Sequence, residues 1–191
     1  MWKKVMAAGL LSAIVLMAWV LVTNGVLGLR SRYAMKPIPN EWQLHDQLKE
    51  RLAEPGRYVC PLRPRETSSS SPPPELPSEL LEQPVFSIQF SGLGHENAGQ
   101  VAAAHFAIAL IAPIVAAWML ATSGGWFLSR YARRVLFFAL LGLIIALVGE
   151  FRQFDLGGYP FGTAVLFAVQ ELVGWTLAGL VAGAVLRPEP A

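Results

Sequence analysis

The stretch TAVLFAVQELVGWTLAGLVAGAVL, Thr163 to Leu186, decides the fold. At the helical rise of about 1.5 Å per residue it is long enough to cross a hydrocarbon layer of about 30 Å. In lipid every backbone N–H and C=O must be satisfied within the segment, so such a run is a helix. Gly174, Ala178 and Ala182 recur on one face, and beside them Gly179 and Gly183 stand four apart. Small residues at that spacing let another helix approach closely, so these five are the expected packing positions. Gln170 and Glu171 interrupt the early half of the run. An acid at that depth is costly, and it is expected to face other helices, a water-filled cavity or a partner.

Composition agrees with a membrane chain. Hydrophobic residues make up 54% of the sequence and charged residues only 15%, the pattern of a bilayer protein. The net charge of +2 leaves no basic footprint for nucleic acid. Cys60 is the single cysteine, which rules out an intrachain disulfide framework or a CxxC redox pair.

Three further spans follow from the same reasoning. Lys3 and Lys4 precede an apolar run from Val5 to Leu29. That run exceeds the 7–15 residues or so of a signal-peptide core, and it reads as a retained anchor with a cytoplasmic N-terminus. The expected divisions are 1–29 for helix one, 30–100 for an extracytoplasmic loop domain, and 101–122 for helix two, with Pro113 at mid-span. A cytoplasmic loop at 123–134 carries Arg130, Arg133 and Arg134. Helix three is expected at 135–154, an outer loop at 155–162, helix four at 163–186 and a cytoplasmic tail at 187–191.

Within the loop domain, Asn40 is the expected N-cap of a helix over Glu41 to Glu54, ended by Pro55-Gly56. Leu44, Leu48 and Leu52 mark its apolar face. Arg57 to Cys60 and Val85 to Phe90 read as two short strands. A Ser/Pro linker spans 67–78, and Ser78 to Glu82 offers one helical turn. One amphipathic helix and a two-stranded ribbon bury little, so this domain is expected to lean on the membrane helices or on a partner. The expected fold class is therefore mainly α: a four-transmembrane-helix bundle with a small extracytoplasmic α/β cap between helices one and two.

This threading puts His105, Glu150, Arg152, Gln170 and Glu171 near one depth, with Asn24 at the same end of helix one. Four readings of that intramembrane polar cluster compete. Glu171 pairs with His105 or Arg152 and fixes helix register. Gln170 and Glu171 dock a neighbouring subunit. The cluster forms a proton, ion or solute path. Or His105 binds a metal with Glu171 or Glu150, although no HxxE or HxxxH spacing supports it and no metal is expected. No GxGxxG, Walker or GxSxG element is present, and a lone intramembrane histidine gives no bis-histidine haem pair, so neither catalytic residues nor an intrinsic cofactor are expected. A lipid, quinone or pigment held at the surface by Trp118, Trp126 or Trp175 stays open as an alternative.

Pro39-Asn40-Glu41, followed by Gly56-x-Tyr58-x-x-Pro61, resembles the outer loop of an uncharacterised family of small bacterial four-helix integral membrane proteins. Tyr159-x-Phe161 and then Glu171-x-x-Gly174-Trp175-x-x-Ala178-Gly179-Leu180 carry the same resemblance into the last helix. The resemblance implies an architecture in the bacterial inner membrane and no activity. The functional expectation is a non-enzymatic accessory or assembly subunit of a larger membrane complex, respiratory or photosynthetic, whose partners are other membrane subunits and lipids. The alternative is a small transporter or channel-like protein working through Glu171 and His105.

Overall fold

The computed structural model describes residues 2–60, 83–155 and 158–187. The Ser/Pro linker, the turn expected over Ser78 to Glu82, Gly157 and the last four residues lie outside the described residues. Helix α1 (Trp2–Val20) continues through a π-helical segment, Leu21–Val26. Short α2 (Leu29–Tyr33) and α3 (Glu41–Arg51) precede strands β1 (Gly56–Cys60) and β2 (Phe86–Phe90). Then follow α4 (Ala98–Thr122), the single turn α5 (Gly125–Leu128), α6 (Tyr131–Ile145) and α7 (Phe161–Val185). Past Ile145, α6 runs on as a π-helical segment, Ala146–Glu150, and a 3-10 turn, Phe151–Gln153. Four stretches, Trp2–Val26, Ala98–Thr122, Tyr131–Gln153 and Phe161–Val185, are long and apolar enough to cross a membrane.

Burial is inverted relative to a water-soluble bundle. The fully buried positions are mostly small: Ala8, Ala13, Ala117, Ala164, Ala178 and Ala182, with Phe138 and Leu120 among the few large ones. Large apolar side chains face outward, including Ile14, Ile108, Ile144 and Val148 at 56–63% exposure. A soluble monomer does not expose apolar surface on that scale. Small residues inside and bulky ones outside is the arrangement expected where lipid supplies no drive to hide Leu or Ile.

The four long helices pack in the serial order α4–α1–α7–α6, rather than all around one axis. Gly9 makes the first crossing possible, since a Cβ there would lie 2.6 Å from the Ile114 backbone, one residue beyond the buried Pro113. At the second, a Cβ on Gly174 would fall 2.7 Å from the Trp19 ring. At the third, a Cβ on Gly179 would fall 2.6 Å from Phe138 Cβ, and one on Gly142 the same distance from Trp175 Cβ. The two small-residue strips of α7 are therefore both filled from within the chain. Gly174 and Ala178 take α1, while Gly179 and Gly183 take α6.

α7 is also gripped through its backbone. Ser12 Oγ donates to the Ala178 carbonyl (3.1 Å) and Trp19 Nε1 to that of Gln170 (2.9 Å). Tyr131 Oη donates to the Leu180 carbonyl (3.0 Å) and Arg134 Nε to that of Gly183 (2.9 Å). Each such interhelical bond is worth about 0.6 kcal/mol in lipid.

Several boundaries differ from the sequence reading. α6 begins at Tyr131, so Arg133 and Arg134 belong to its first turn and not to the connecting loop. Arg134 is buried because its guanidinium lands on the Gly183 and Leu128 carbonyls, at the negative end of α7. Arg133 lies over the Trp126 ring at 4.2 Å. Asn40 does not cap α3: its backbone is left-handed (φ 57°), a conformation asparagine tolerates, and no side-chain cap bond forms. α3 stops at Arg51, short of Glu54, in keeping with the extended backbone favoured before Pro55.

The strands pair antiparallel, with Gly56 opposite Phe90 and Cys60 opposite Phe86. The apolar face of α3, Leu48 and Leu52, lines a groove with Ile88 and Phe90 of β2. Arg57 of β1 reaches Asp155 in the α6–α7 turn at 3.5 Å, which ties the ribbon to the end of the helices.

The glycine contacts make a size-dependent prediction. Gly179→Val should cost about 1–3 kcal/mol through overpacking on Phe138. Gly99→Ala, where a Cβ meets nothing within 4 Å, should change stability by no more than about 1 kcal/mol. Thermal unfolding of the full chain in one detergent compares them directly.

Candidate functional site

Thr23, Asn24, Glu150, Gln170 and Glu171 stand toward the end of the long helices nearest the ribbon, on both sides of α7. Successive helical residues point about 100° apart, so Gln170 and Glu171 cannot share a neighbour. Gln170 turns toward α1 and is buried at 8% exposure. Its Nε2 donates to Thr23 Oγ1 at 2.8 Å. Thr23, itself buried, donates back to the Trp19 carbonyl at 2.9 Å. A threonine hydroxyl that takes a carbonyl four residues back competes with the backbone ladder. At this point α1 widens into its π-helical segment, where Leu27 N–H reaches back five residues to the Val22 carbonyl. Asn24 Oδ1 and Gln170 Oε1 are buried, and no donor reaches either among the described residues.

Glu171 turns the other way and is half-buried. It lies within Coulombic reach of Glu150, in the π-helical end of α6, and of the Arg30 guanidinium at the start of α2. Trp175 lies one turn further along α7, on the same side of the helix. Thus a π-helical segment stands on each side of α7 at this level, one presenting Thr23 and Asn24, the other Glu150.

The five residues singled out from the sequence do not form one cluster. Gln170, Glu171 and Glu150 stand around α7, divided between its two faces. His105 lies apart, on α4, which packs on the far side of α1; it lines a groove with His45, Ser91 and Leu93. Arg152 lines a different groove, beside Arg57 and Tyr159. Glu171 therefore has Arg30, and not His105 or Arg152, as its cationic neighbour. Among the described residues no three His, Cys, Asp or Glu side chains gather as a metal ion would require.

Sequence reasoning missed Thr23, Trp19 and Arg30. A threonine in the last third of an apolar run carried no signal, and Arg30 reads as a flanking charge until Gly28, at φ 62°, turns the chain back over the helix ends. Chemically, the arrangement can fix helix register through Gln170 and hold or pass a proton at Glu171.

The Gln170–Thr23 bond makes a coupled pair. Thr23→Val should destabilise by about 1 kcal/mol because it strands a buried amide. Adding Gln170→Leu removes that stranded group and should recover most of the loss, a coupling readable in a double-mutant cycle of thermal unfolding.

Comparison with protein-family models, with curated proteins and with solved structures gave no match, so the functional reading rests on these residues and their geometry.

Proposed function

We propose that this chain is a non-catalytic accessory or assembly subunit of a larger bacterial membrane complex, respiratory or photosynthetic. It is multi-pass in the inner membrane, with both termini cytoplasmic and residues 30–100 outside. The observation that carries this reading is the state of the segment between α1 and α4. From Asn24 to Asn97 no described side chain is fully buried. Trp42 is 77% exposed, and Met35, Ile38, Phe86 and Leu93 also face outward. A ribbon and one helix with no core of their own gain stability when a second surface covers those side chains.

Lys3, Lys4, Arg130, Arg133 and Arg187 all belong to the helix ends away from the ribbon. At the ribbon end the short α6–α7 connection follows Arg152 alone, while Arg30 and Arg32 open a long segment of the kind that crosses largely regardless of charge. The short segments therefore support the orientation by the positive-inside rule. The helix strips do not support subunit docking, because α1 and α6 already occupy them. Recruitment falls to the cap and to the outer faces of α4 and α6.

A second reading, a small transporter or channel-like protein, draws on the two acids Glu150 and Glu171 at one level. His105 is too far along the helix row to serve in it.

The readings separate by experiment. Under the subunit reading, the native protein in mild detergent migrates as a species larger than the monomer, and Trp42→Ser with Phe86→Ser shifts it toward the monomer while the helices stay folded. Glu171→Gln leaves that assembly intact. A lone monomer from native membranes, together with proton or solute flux in liposomes that Glu171→Gln abolishes, would establish the transporter instead.

A further inference from the structure

We propose that the groove between the strand ribbon and the α6–α7 turn binds the headgroup of an anionic phospholipid. The groove, of about 540 Å³, is within the usual range for a small-ligand site. Arg57, from β1, and Arg152, from the end of α6, both line it, together with Gln89 and Tyr159. Asp155 takes one side of Arg57 at 3.5 Å. Arg152 has no ion-pair partner among the described residues, which leaves the groove with an uncompensated guanidinium. Guanidinium forks match phosphate oxygens two at a time, a geometry an ammonium cannot reproduce.

The surroundings select a lipid over a free phosphate. Gly149 forms part of the groove wall, and the two residues before it, Leu147 and Val148, are 54% and 63% exposed on the outer face of α6. Exposed apolar surface of α6 thus stands within one helical turn of a polar groove, at the end of two membrane-length helices. That sequence of surfaces, phosphate-binding and then apolar, is the outline of a phospholipid. The Tyr159 ring leans on Phe167 at 5.8 Å and a tilt of 51°, which holds it at the boundary where interfacial aromatics sit. Basic pockets between membrane helices take anionic headgroups at the cytoplasmic face, and the same guanidinium–phosphate pairing operates at the outer end. An anionic headgroup is favoured over a choline one, because the cation of the latter meets the same arginines.

The inference rests on the chain spanning a membrane and not on its being a subunit. The test uses the full chain, stripped of lipid in detergent and titrated separately with phosphatidylglycerol, phosphatidylcholine and inorganic phosphate. Unfolding temperature and lipid retained through gel filtration are the readouts. Phosphatidylglycerol should raise the unfolding temperature and stay bound, and the other two should do neither. Arg152→Gln should weaken phosphatidylglycerol about tenfold, whereas Arg32→Gln, an exposed arginine outside the groove, should leave it unchanged. Should Arg152→Gln fail to fold, Tyr159→Phe serves, with an expected loss of a few-fold. Equal stabilisation by the two lipids, or undiminished binding in the groove variant, overturns the proposal. Stabilisation by inorganic phosphate alone assigns the groove to the free anion and overturns it too. A lone monomer that still selects phosphatidylglycerol would sink the subunit reading and leave this one standing.

Discussion

Close contact between backbones at α7 is the constraint on which the structure depends. Lipid offers no hydrophobic gain for joining helices, so their association relies on van der Waals contact and on hydrogen bonds. Both require the main chains to come near. Gly174 and Gly179 permit this on two sides of α7, with the added help of Gly142 from the facing helix. Once the backbones are that close, the side chains of Ser12, Trp19, Tyr131 and Arg134 reach α7 carbonyls that longer side chains at the contact would keep away. Packing and hydrogen bonding are thus one effect of the same small residues. α4, which meets only α1 to any extent, depends on this less and is the outlying helix of the row.

The same geometry fixes where polar chemistry is found. With α1 and α6 held on either side of α7, the adjacent Gln170 and Glu171 must look into different interfaces. Each interface answers with a locally widened helix that presents polar groups, Thr23 and Asn24 on one side and Glu150 on the other. Arg30 is brought to the acidic side by the left-handed turn at Gly28. The ribbon is then anchored from above by Arg57 to Asp155, and the space left beneath it is the arginine-lined groove.

Much of this was legible in the sequence. Four apolar runs of membrane length, a leucine-faced helix after Pro39, and two short strands follow from composition and periodicity, which are local properties. The order of the helices was not legible. Two small-residue strips on α7 announce two close neighbours without saying which, and the strips read equally well as docking surfaces for another subunit. The polar cluster was misjudged for the same reason: depth along a helix can be counted from the sequence, but rotation about it and position in the row cannot. His105 has the right depth and stands on the wrong helix. Arg134 looked like loop charge because only a tertiary contact, with the Gly183 carbonyl, makes an arginine acceptable inside a helix interface.

The central claim is that four passes separate the ribbon from the arginine-bearing turn by the thickness of a bilayer. The chain supplies its own reporter, since Cys60 is exposed on β1 and is the single thiol. A membrane-impermeant maleimide should label Cys60 in intact cells whose outer barrier has been removed. In a Cys60→Ser background, Ser129→Cys should label only after the membrane is opened. Labelling of both positions from the same side would contradict the four-pass arrangement and everything built on it.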